Sequence, residues 1–516
     1  MKILLLSMPN SFEHLPAEAI RIPNGALGSL AGNVDPHHRV AIADLILVQA
    51  AVKETICRLM HEWDPDLVGL SIMTFQRPTA LAIMKLVRSL KPGVLIAVGG
   101  YDPSLAWEVY SEPSGSCADF VIRGEGEVTF RELVRAIEGR TGYEHIAGLS
   151  FRSEGGFRHN HNRSISDLAE IKLPNRAARV LSGYTSLGRQ IDIIETSRGC
   201  TFDCSFCSII EMRGRNFYKF PLDWVIADIR DAHAHGARSI FIVDDNITLD
   251  VRRFAALCQA IIDAGLNTID YTVQAMTATI AGHGATLAPL MRKAGFRYVF
   301  LGIENILDQD LAFLKAASKN ARRINGRRSG IAAVDAIEHL HRNGMFVVGG
   351  LIVGNPNDTR HDIEANLEFA RRFVDWPYIQ HPTPYPRTPM TAELRERGLI
   401  ANFDVAAYDG TTAVVACKHL PGREIEFMRW KAERWIKMRH VPAMIRHDPL
   451  FMLPHLRRVF AFTFRGSSLR SMLGLEDERQ AFERYCAIRN AERNSYTRDF
   501  RETLARAPTS AQAAAA

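Results

Sequence analysis

The sequence predicts an α/β protein in three parts: a doubly wound, Rossmann-like domain over residues 1–150, a partial (β/α)6 TIM-like barrel over residues 189–400, and a mainly helical region over residues 401–516. Two series of short apolar runs alternate with amphipathic segments, as in parallel sheets with helical crossovers. The strand pattern then fades after about residue 400. The polar residues 151–188 contain Gly155-Gly156 and Pro174 and are predicted to form a hairpin and a linker.

Short apolar runs define the sheet of the first domain. They predict strands at Lys2–Ser7, Val40–Leu45, Leu67–Ile72, Val94–Val98 and Phe120–Ile122. Apolar residues at helical spacing predict helices at Val52–Glu62, Ala80–Leu90 and Thr129–Ile137. Ligands of such sheets bind beyond the carboxyl ends of the strands, so the site of this domain is expected there.

A second alternating series makes up the barrel. The predicted strands are Ile191–Thr196, Ser239–Val243, Asp270–Ala275, Tyr298–Ile303, Phe346–Val353 and Tyr378–Tyr385. The predicted helices include Leu222–Ala234, Arg252–Ala264, Thr286–Ala294 and His361–Phe373. Six β–α steps in about 200 residues fit an open or partial barrel better than a closed one of eight strands.

Helical patterns dominate after residue 400, in Glu424–Met438 and Glu476–Arg506. Between Arg439 and Arg470 six arginines and one acid, Asp448, are interleaved with apolar residues. A helix lying on an anionic membrane surface has this composition, and so does the basic solvated face of a helical cap. The tail APTSAQAAAA is predicted to fray.

The composition is that of an ordinary globular protein, with 47% hydrophobic and 23% charged residues in 516. A formal net charge of +6 is too small over this length to indicate a nucleic-acid partner. No apolar run approaches the roughly 18 residues of a membrane span. The start, MKILLLSMPN, lacks the long apolar segment and cleavage site of a signal peptide. A cytoplasmic enzyme, at most peripheral to the membrane, is therefore expected.

The eight cysteines are unevenly distributed. Cys200, Cys204 and Cys207 have the spacing C-x3-C-x2-C directly after the first predicted barrel strand. Three thiolates on one loop can hold three irons of a [4Fe–4S] cluster, and with no fourth cysteine nearby one iron stays open, as in catalytic metal sites. A zinc ribbon would need a second CxxC pair. The other five are interpreted as small buried apolar residues: Cys57, Cys117, Cys258, Cys417 and Cys486.

The segment Glu195–Cys207, ETSRGCTFDCSFC, resembles the signature of the radical S-adenosylmethionine (SAM) superfamily. The resemblance implies that the three cysteines bind a [4Fe–4S] cluster and that SAM chelates its fourth iron through amino and carboxylate groups. It also implies a reductant of the flavodoxin or ferredoxin type, whose electron cleaves SAM to methionine and a 5′-deoxyadenosyl radical. Phe206 matches the aromatic residue that packs near the adenine, with an ordinary core role as the alternative.

Further segments follow in the order of that superfamily. Gly302-Ile303-Glu304 resembles the G-x-E element that contacts the ribose and amino group of SAM, and Gly350–Pro356 resembles the G-x-I-x-G-x-P strand beside the adenine. Ordinary packing of barrel strands is the alternative for both. Related enzymes have Q-A-R where this chain has Gln274 and Met276. The resemblance assigns to SAM the residues Phe206, Gln274, Gly302, Glu304, Gly350, Ile352 and Gly354.

Two other polar motifs lie at predicted strand ends. Asp244-Asp245-Asn246 is interpreted as an N-cap cluster for the following helix, with a catalytic role as the alternative. Tyr385–Pro389 resembles the P-[YF]-P-G-T-P-L stretch of the superfamily, with Arg387 in place of the glycine. Arg387 is predicted to be a solvated loop residue, and contact with an anionic group of the substrate or cofactor is the alternative.

The first domain resembles the cobalamin-binding domain that precedes the barrel in one subfamily of radical SAM enzymes. The resemblance rests on turns at the ends of strands three to five, and it assigns to cobalamin Ser71, Thr74, Gly99, Gly100, Arg123, Gly124 and Glu125. Ordinary βα turns are the alternative. Asp35-Pro36-His37 begins the D-x-H-x-x-G pattern whose histidine binds cobalt elsewhere, but Val40 replaces the glycine. His37 and His38 are therefore interpreted as turn residues, which leaves the lower cobalt ligand undetermined.

These resemblances imply a cobalamin-dependent radical SAM methyltransferase that methylates an unactivated carbon and consumes two SAM molecules per turnover. If the basic segment lies on a membrane, a lipid substrate follows, and the hopanoid (pentacyclic triterpenoid) methylases have a similar layout and length. A non-methylating rearrangement or cyclisation with the same cofactors is the first alternative. A non-catalytic cobalamin or redox sensor is a more distant one, because no output module is recognisable. Methylthiolation of transfer RNA is disfavoured, since only Cys57 and Cys117 precede residue 200.

Overall fold

The computed structural model describes residues 1–12, 20–111, 117–164, 168–324, 327–467, 471 and 475–506. The tail from residue 507, with its predicted fraying, lies outside these ranges, as does Arg470. Over residues 1–160 the strands are β1 (Lys2–Ser7), β2 (Ile20–Arg21), β3 (Arg39–Asp44), β4 (Leu67–Ser71), β5 (Leu95–Gly99), β6 (Phe120–Ile122), β7 (Leu149–Ser153) and β8 (Gly156–His159). The helices are α1 (Gly25–Asn33), α2 (Val52–Trp63), α3 (Arg77–Leu90), α4 (Tyr101–Leu105), α5 (Trp107–Ser111) and α6 (Gly126–Gly139).

The first sheet has the order β3-β1-β4-β5-β6-β7-β8. Strands β1 and β3 to β6 are parallel, and the hairpin β7–β8 extends the sheet antiparallel to them. Apolar residues fill both faces of the sheet, as expected when helical crossovers cover both sides of a parallel sheet. The predicted doubly wound domain is present. The hairpin β7–β8 begins at Leu149, before the segment 151–188 predicted to form a hairpin and a linker, and it belongs to the first sheet.

The barrel strands are β9 (Thr185–Ser186), β10 (Arg189–Ile194), β11 (Ser197–Arg198), β12 (Tyr218–Lys219), β13 (Ser239–Ile242), β14 (Asp270–Met276), β15 (Phe296–Glu304), β16 (Ala321–Ile324), β17 (Arg327–Ile331), β18 (Phe346–Ile352) and β19 (Trp376–Gln380). The helices between them are α7 (Ile209–Arg213), α8 (Leu222–Ala234), α9 (Val251–Asp263), α10 (Thr277–Lys293), α11 (Asp308–Phe313), α12 (Ala317–Asn320), α13 (Ala333–Arg342), α14 (Arg360–Phe373) and α15 (Pro389–Glu396).

The second sheet has the order β19-β18-β15-β14-β13-β10-β9-β2. Its six parallel strands follow one another in chain order, and its two edges are not joined, which confirms a partial (β/α)6 barrel. Strand β2 comes from the N-terminal part of the chain and pairs antiparallel with β9 at one edge. The sequence does not predict that β2 joins the second sheet, because a strand of two residues is too short to show an alternating pattern.

Several barrel elements differ from the prediction. Strand β19 stops at Gln380 rather than Tyr385, because Pro382 and Pro384 lack the amide hydrogen that a sheet ladder needs. Helix α10 begins at Thr277, well before the predicted start at Thr286, since packing overrides the helix-weakening effect of its two glycines. Helix α13 and the hairpin β16–β17 have no counterpart among the predicted elements.

The predicted helical region contains α16 (Gly422–His447), α17 (Pro449–Thr463) and α18 (Glu478–Arg506). Helix α16 packs on β19 and α14, and α18 packs on α2 and α3 of the first domain, so this region bridges the two sheets. The junction of α16 and α17 covers the amino ends of the barrel strands, where Asp448 accepts a hydrogen bond from the Tyr298 hydroxyl at 2.9 Å and pairs with Arg189. Among the residues that the structure describes, no helix has the length and apolar character to cross a membrane.

The five cysteines outside the loop differ in burial, although all five are predicted to be buried. Cys258 and Cys486 are buried, as expected for small apolar residues. Cys57, Cys117 and Cys417 are only half-buried and lie at the margins of the apolar cores, so the prediction of burial is wrong for these three.

Candidate functional site

The cysteine loop leaves the carboxyl edge of the barrel after β10 and crosses toward the first domain. Cys204 is buried, Cys200 and Cys207 are half-buried, and all three thiols are free. Ser205 anchors the loop, because its amide donates to the Leu314 carbonyl at 3.0 Å and its hydroxyl donates to the Phe313 carbonyl at 2.8 Å. The three thiols are thus held on one rigid loop at the edge where barrels of this class place their reacting groups.

The chemistry of the three thiols suits an iron–sulfur cluster. Burial raises the pKa of Cys204 to about 11 and that of Cys207 to about 12, although the positive charge of Lys319 opposes both shifts. As free thiols, Cys204 and Cys207 therefore remain protonated at neutral pH, whereas coordination to a cation removes the proton outright. Soft sulfur ligands without a disulfide partner favour iron–sulfur clusters or zinc, and an incomplete set of three leaves a position open.

Gly199, directly before Cys200, is a position that only glycine fits. Its φ is +91°, and a Cβ there would lie 2.5 Å from the backbone carbonyl oxygen of Asn216. We expect Gly199→Ala to destabilise the fold by about 2–3 kcal/mol and to lower the iron content after reconstitution, since the backbone beside Cys200 must move. Urea unfolding and iron analysis measure the two effects.

Gly183→Ala is the matched control for that variant. Gly183 has a φ of +109°, but no atom of the described residues lies within 4 Å of the point that a Cβ would occupy, so the control carries the left-handed strain without the collision. Equal iron loss in both variants would contradict the role assigned to the close approach at Gly199.

The motif Asp244-Asp245-Asn246 organises this loop, and its interpretation as an N-cap cluster is wrong. Asp244 is buried and accepts hydrogen bonds from the Thr196 amide at 2.6 Å and the Ser197 hydroxyl at 2.5 Å. Asp245 accepts from the Gly199 amide at 2.7 Å. The side chain that caps α9 belongs instead to Asp250, whose carboxylate accepts from the Arg253 amide at 3.0 Å. An aspartate directly before the first helical residue is the signal in the sequence for that cap.

Asn246 completes the same motif and lies inside the barrel mouth. Its side-chain nitrogen is 4.0 Å from Sγ of Cys200 and 3.9 Å from Sδ of Met276. Burial raises the pKa of neighbouring Asp244 to about 6, even though three hydrogen bonds oppose the shift. The motif thus forms part of the wall around the cysteine loop.

Glu304 ends β15 in an unusual backbone conformation, and its side chain forms an ion pair with a lysine. Its φ is +62°, and the pairing with β18 shifts register at this point. A non-glycine residue in the left-handed region is a form of strain that concentrates at functional sites. Its carboxylate is 2.8 Å from Nζ of Lys319, a residue of α12 that belongs to none of the sequence motifs.

The other residues assigned to SAM lie on the same half-barrel. Gln274 and Met276 alternate with residues buried under the outer helices, so they face the concave side of the sheet. A Cβ on Gly350 would lie 2.8 Å from the Phe300 ring, and Gly354 has a φ of +84°. Phe206 and Ile352 pack in one apolar cluster near the cysteine loop. The assignments of Phe206, Gln274, Gly302, Glu304, Gly350, Ile352 and Gly354 remain predictions.

The residues assigned to cobalamin lie at or just beyond the carboxyl ends of β4, β5 and β6. Gly99, Gly100 and Gly124 are half-exposed and present backbone without a side chain, so a large flat ring system can approach closely. A Cβ on Gly100, whose φ is +99°, would lie 2.9 Å from the Ile72 amide nitrogen. Thr74 is buried, and Ser71 accepts a hydrogen bond from the side-chain amide of Asn24 at 3.2 Å.

Arg123 and Glu125 make other contacts in addition to their predicted role. Arg123 donates to the side chain of Asn162 at 2.7 Å. Glu125 pairs with Arg213 at 2.8 Å and with Arg198 at 2.5 Å, both from the barrel. These carboxylate contacts join the two domains, which the sequence alone does not predict.

Arg198 is the centre of this contact between domains. Its guanidinium reaches Glu125 at 2.5 Å, Glu127 at 2.7 Å and Glu195 at 2.7 Å, and its side chain is 4% exposed. Burial would raise the pKa of Glu127, but the charge of Arg198 overcomes it and holds that pKa at about 2. Arg198 comes from the signature ETSRGC and the glutamates of the first domain come from the turn RGEGE, so the sequence shows both motifs but not their contact.

Arg387 lies in a turn with its side chain 43% exposed, as predicted for a solvated loop residue, and it also makes a second contact between the domains. Its Nε donates to the Leu105 carbonyl at 2.8 Å, its guanidinium pairs with Glu108, and it lies 5.7 Å from the Trp107 ring centre. Its φ of +65° explains why glycine is the usual residue of the motif it resembles.

His37 and His38 lie in the turn before β3, as predicted, at the edge of the first sheet opposite the strand carboxyl ends. His37 pairs with Glu138 at 3.0 Å, and Nδ1 of His38 lies 3.1 Å from the terminal amino group of Met1. Neither histidine is at the edge where a ligand of this sheet would bind.

Two family descriptions match this chain. Residues 32–134 match the "B12 binding domain", and residues 194–370 match the "Radical SAM superfamily". An uncharacterized methyltransferase of Pyrococcus horikoshii is 28% identical over 84% of this chain and 91% of its own length. The hopanoid C-3 methylase of Methylococcus capsulatus is 26% identical over 68% of this chain and 64% of its own length.

A third relative is named as a cyclase rather than as a methyltransferase. The anaerobic magnesium-protoporphyrin IX monomethyl ester cyclase of Synechocystis is 24% identical over 88% of this chain and 87% of its own length. Among solved structures, the cobalamin-dependent SAM radical enzyme OxsB matches with a TM-score of 0.64 at 15% identity, over 97% of this chain and 80% of that one. The radical SAM methyltransferase TsrM of Kitasatospora setae matches with a TM-score of 0.60 at 18% identity, over 77% and 75%. Both likenesses show the shared fold.

A B12-binding domain thus precedes a radical SAM half-barrel in one chain. The protein is a cobalamin-dependent radical SAM enzyme, and its relatives and structural neighbours include methyltransferases. Its cofactors are a [4Fe–4S] cluster, SAM and cobalamin.

Proposed function

We propose that this protein methylates an unactivated carbon of an apolar lipid, with a pentacyclic triterpenoid of the hopanoid type as substrate. The observation that carries the proposal is the buried network around Arg198, because it fixes the carboxyl edge of one sheet against that of the other. When bound, the three cofactors supply a hydrogen-abstracting radical and a transferable methyl group. A fixed relation between the two domains is what such a transfer requires of the protein.

The residues of the chain have distinct tasks in this proposal. Cys200, Cys204 and Cys207 hold the cluster, and Glu304 binds the amino group of SAM. Ser71, Thr74 and the turns at Gly99-Gly100 and Arg123–Glu125 hold cobalamin. An external one-electron reductant of the flavodoxin or ferredoxin type supplies the electron.

The concave face of the half-barrel supports an apolar substrate. Phe241, Phe300 and Tyr378 are half-buried, and each alternates with residues packed under the outer helices, so they face the concave side. The Phe300 and Tyr378 rings are 5.5 Å apart between centres. A surface of this kind favours a large apolar ring system over a charged substrate.

The test is anaerobic turnover of the reconstituted enzyme with methyl-deuterated SAM and a hopanoid. We expect a product heavier by one deuterated methyl group, with one S-adenosylhomocysteine and one 5′-deoxyadenosine formed per product. A bacteriochlorophyllide or magnesium-protoporphyrin ester is assayed in parallel, because relatives of this chain are named for those compounds. 5′-Deoxyadenosine without S-adenosylhomocysteine would contradict methyl transfer and favour the cyclase-like alternative.

We also propose that α17 binds the surface of an anionic bilayer. Leu450 is 82% exposed, Leu453 is 62% exposed and Phe460 is 39% exposed, and the exposed Arg457 and Arg458 lie on the same helix. The chain has no acidic residue between Asp448 and Glu476. Exposed apolar side chains flanked by arginines complement a negatively charged lipid surface. Since α17 packs at the amino ends of the barrel strands, this contact anchors the enzyme rather than lining the path to the cluster.

Co-sedimentation with vesicles tests the contact. We expect binding to phosphatidylglycerol vesicles that falls about tenfold for phosphatidylcholine vesicles and by a similar factor for Leu450→Ser/Leu453→Ser. Phe403→Ser is the matched control, because Phe403 is 72% exposed but lies outside α17. Equal loss in the control, or binding that ignores lipid charge, would overturn this part of the proposal.

A further inference from the structure

Three metal-ligating side chains meet at the edge of the first sheet opposite the strand carboxyl ends, away from both cofactor sites. His37 and His38 belong to the turn before β3, Glu138 belongs to the last turn of α6, and their ligand atoms all lie within 4.8 Å of one another. Nε2 of His37 is 3.0 Å from Oε2 of Glu138, and Nε2 of His38 is 3.8 Å from the same oxygen. Two imidazole nitrogens and one carboxylate oxygen thus converge on one point between a turn and a helix.

His38 has a buried ring nitrogen without a partner. The residue is 7% exposed, and its Nε2 has no hydrogen-bond partner among the described residues. Its other ring nitrogen, Nδ1, contacts the amino group of Met1 at 3.1 Å, so Nε2 is the atom directed toward Glu138. The 3.8 Å between Nε2 and the carboxylate is too long for a hydrogen bond but close to the separation of about 3.3 Å between two ligands of one tetrahedral zinc ion. A buried polar atom without a partner calls for an explanation, and an ion between these two atoms provides one.

A separate ion pair already holds the turn against the helix. Arg135 lies one helical turn before Glu138 on α6, and its guanidinium donates two hydrogen bonds to the Asp35 carboxylate, at 2.6 and 2.7 Å. This pair uses none of the three candidate ligands, and it fixes the elements that carry them. Ligands that are held in place before binding lose little freedom when they bind, which favours affinity.

The site is also open to an ion from solution. The side chain of His37 is 57% exposed and that of Glu138 is 44% exposed, whereas that of His38 is fully buried. An ion can therefore enter from the solvent side and reach the buried nitrogen behind the two exposed ligands. A metal site needs such an entry path in addition to its ligands.

The donor set selects the kind of metal. Two imidazoles and one carboxylate, without a thiol, are the ligands of three-residue zinc sites, whereas calcium and magnesium prefer oxygen ligands throughout. We propose that His37, His38 and Glu138 bind one Zn²⁺ through Nε2 of each histidine and the carboxylate, with water completing the coordination. Nδ1 of His38 then carries the ring proton and keeps its contact with the amino group of Met1. The ion ties the turn before β3 to α6 and stabilises this edge of the first domain.

The test measures zinc on the cluster- and cobalamin-loaded protein, in which iron occupies the cysteine loop. After anaerobic dialysis against buffered Zn²⁺ at about pH 8, we expect about one zinc per chain, with nitrogen and oxygen ligands at about 2.0–2.1 Å and no sulfur ligand at about 2.3 Å in X-ray absorption. Glu138→Gln and His37→Gln change exposed side chains. Each should weaken zinc binding by at least about tenfold, because the loss even of a residue that only orients a ligand costs about 10- to 100-fold in affinity.

His235→Gln is the matched control for these variants. His235 is exposed on the barrel and pairs with Asp231 at 3.4 Å, without a third ligand among the described residues, so this variant should bind zinc as the wild type does. Iron content and the cobalamin absorption spectrum should be unchanged in all three variants, and amide exchange in the turn 35–38 should slow when zinc binds to the wild type. Sulfur ligands around the zinc, or unchanged zinc binding in both Glu138→Gln and His37→Gln, would overturn the inference.

Discussion

Replacing Cys204 by alanine is expected to leave the reconstituted protein without a stable [4Fe–4S] cluster. Iron should fall from about four per chain to the background of non-specific binding, because two thiolates cannot hold three irons of the cluster. Formation of 5′-deoxyadenosine should fall below detection with it. Iron analysis, the visible absorption spectrum and product chromatography measure the three effects.

Cys258→Ala is the control for that variant. Cys258 is buried in α9, far from the loop in sequence, and packs among apolar residues of the barrel core. It should retain its iron and lose only about 1 kcal/mol of unfolding free energy through the small cavity. Full iron retention in Cys204→Ala would contradict the assignment of the cysteine loop, whatever happens to the control.

Replacing Arg198 by methionine is expected to lower the free energy of unfolding by about 3–5 kcal/mol, the cost of removing one partner from a buried ion pair. Glu127 would then lose its cation, and Arg213 alone would remain beside Glu125 and Glu195 between the two domains. Methyl transfer should fall at least tenfold even where the protein stays folded, since the relation between the two cofactor sites is loosened. Urea unfolding at about pH 7.5 and turnover measure these effects.

The loss of unfolding free energy in Arg198→Met should also depend on pH. In the wild type the pKa of Glu127 is lowered to about 2, so its stabilising contribution is present above the ordinary glutamate value of 4.5 and is lost as the pH falls toward 2. In Arg198→Met the burial remains without the cation, and the pKa of Glu127 in the folded state rises above 4.5. The variant is therefore destabilised most at neutral pH and least at acidic pH, below the ordinary glutamate value.

Arg387→Met provides the comparison. Arg387 also joins the two domains, but its side chain is 43% exposed and that of Glu108 is 47% exposed. Solvent screening reduces the loss of unfolding free energy to about 0–1 kcal/mol, with little dependence on pH. Equal losses of unfolding free energy in Arg198→Met and Arg387→Met would contradict the importance given to burial around Arg198.

The polar motifs of the site differ in how well the sequence predicts their role. The spacing of Cys200, Cys204 and Cys207 predicts a cluster loop because sulfur ligands need only local geometry. The motif Asp244-Asp245-Asn246 suggests a helix cap, since aspartate and asparagine favour that position in any sequence. Its actual partners, Thr196, Ser197 and Gly199, lie more than forty residues away and cannot be inferred from spacing.

Local patterns in the sequence are enough to predict the parallel strands of both sheets and the kind of cofactor that each sheet binds. Apolar periodicity locates the five parallel strands of the first sheet and the six of the half-barrel, because burial on both faces leaves a local signature. The motifs on those strands then indicate which cofactors the two sheets bind. Each of these steps depends on residues close together in the chain.

The way in which the two domains meet is a property of the tertiary structure alone. It joins Arg198 to Glu127 across 71 positions and Arg387 to Glu108 across 279, and it places Lys319 beside Glu304. Charged residues at such positions look like solvated surface in a sequence, since a salt bridge needs only two opposite charges and no periodic pattern. Packing over the whole chain fixes the direction in which each side chain points, and no local pattern records that direction.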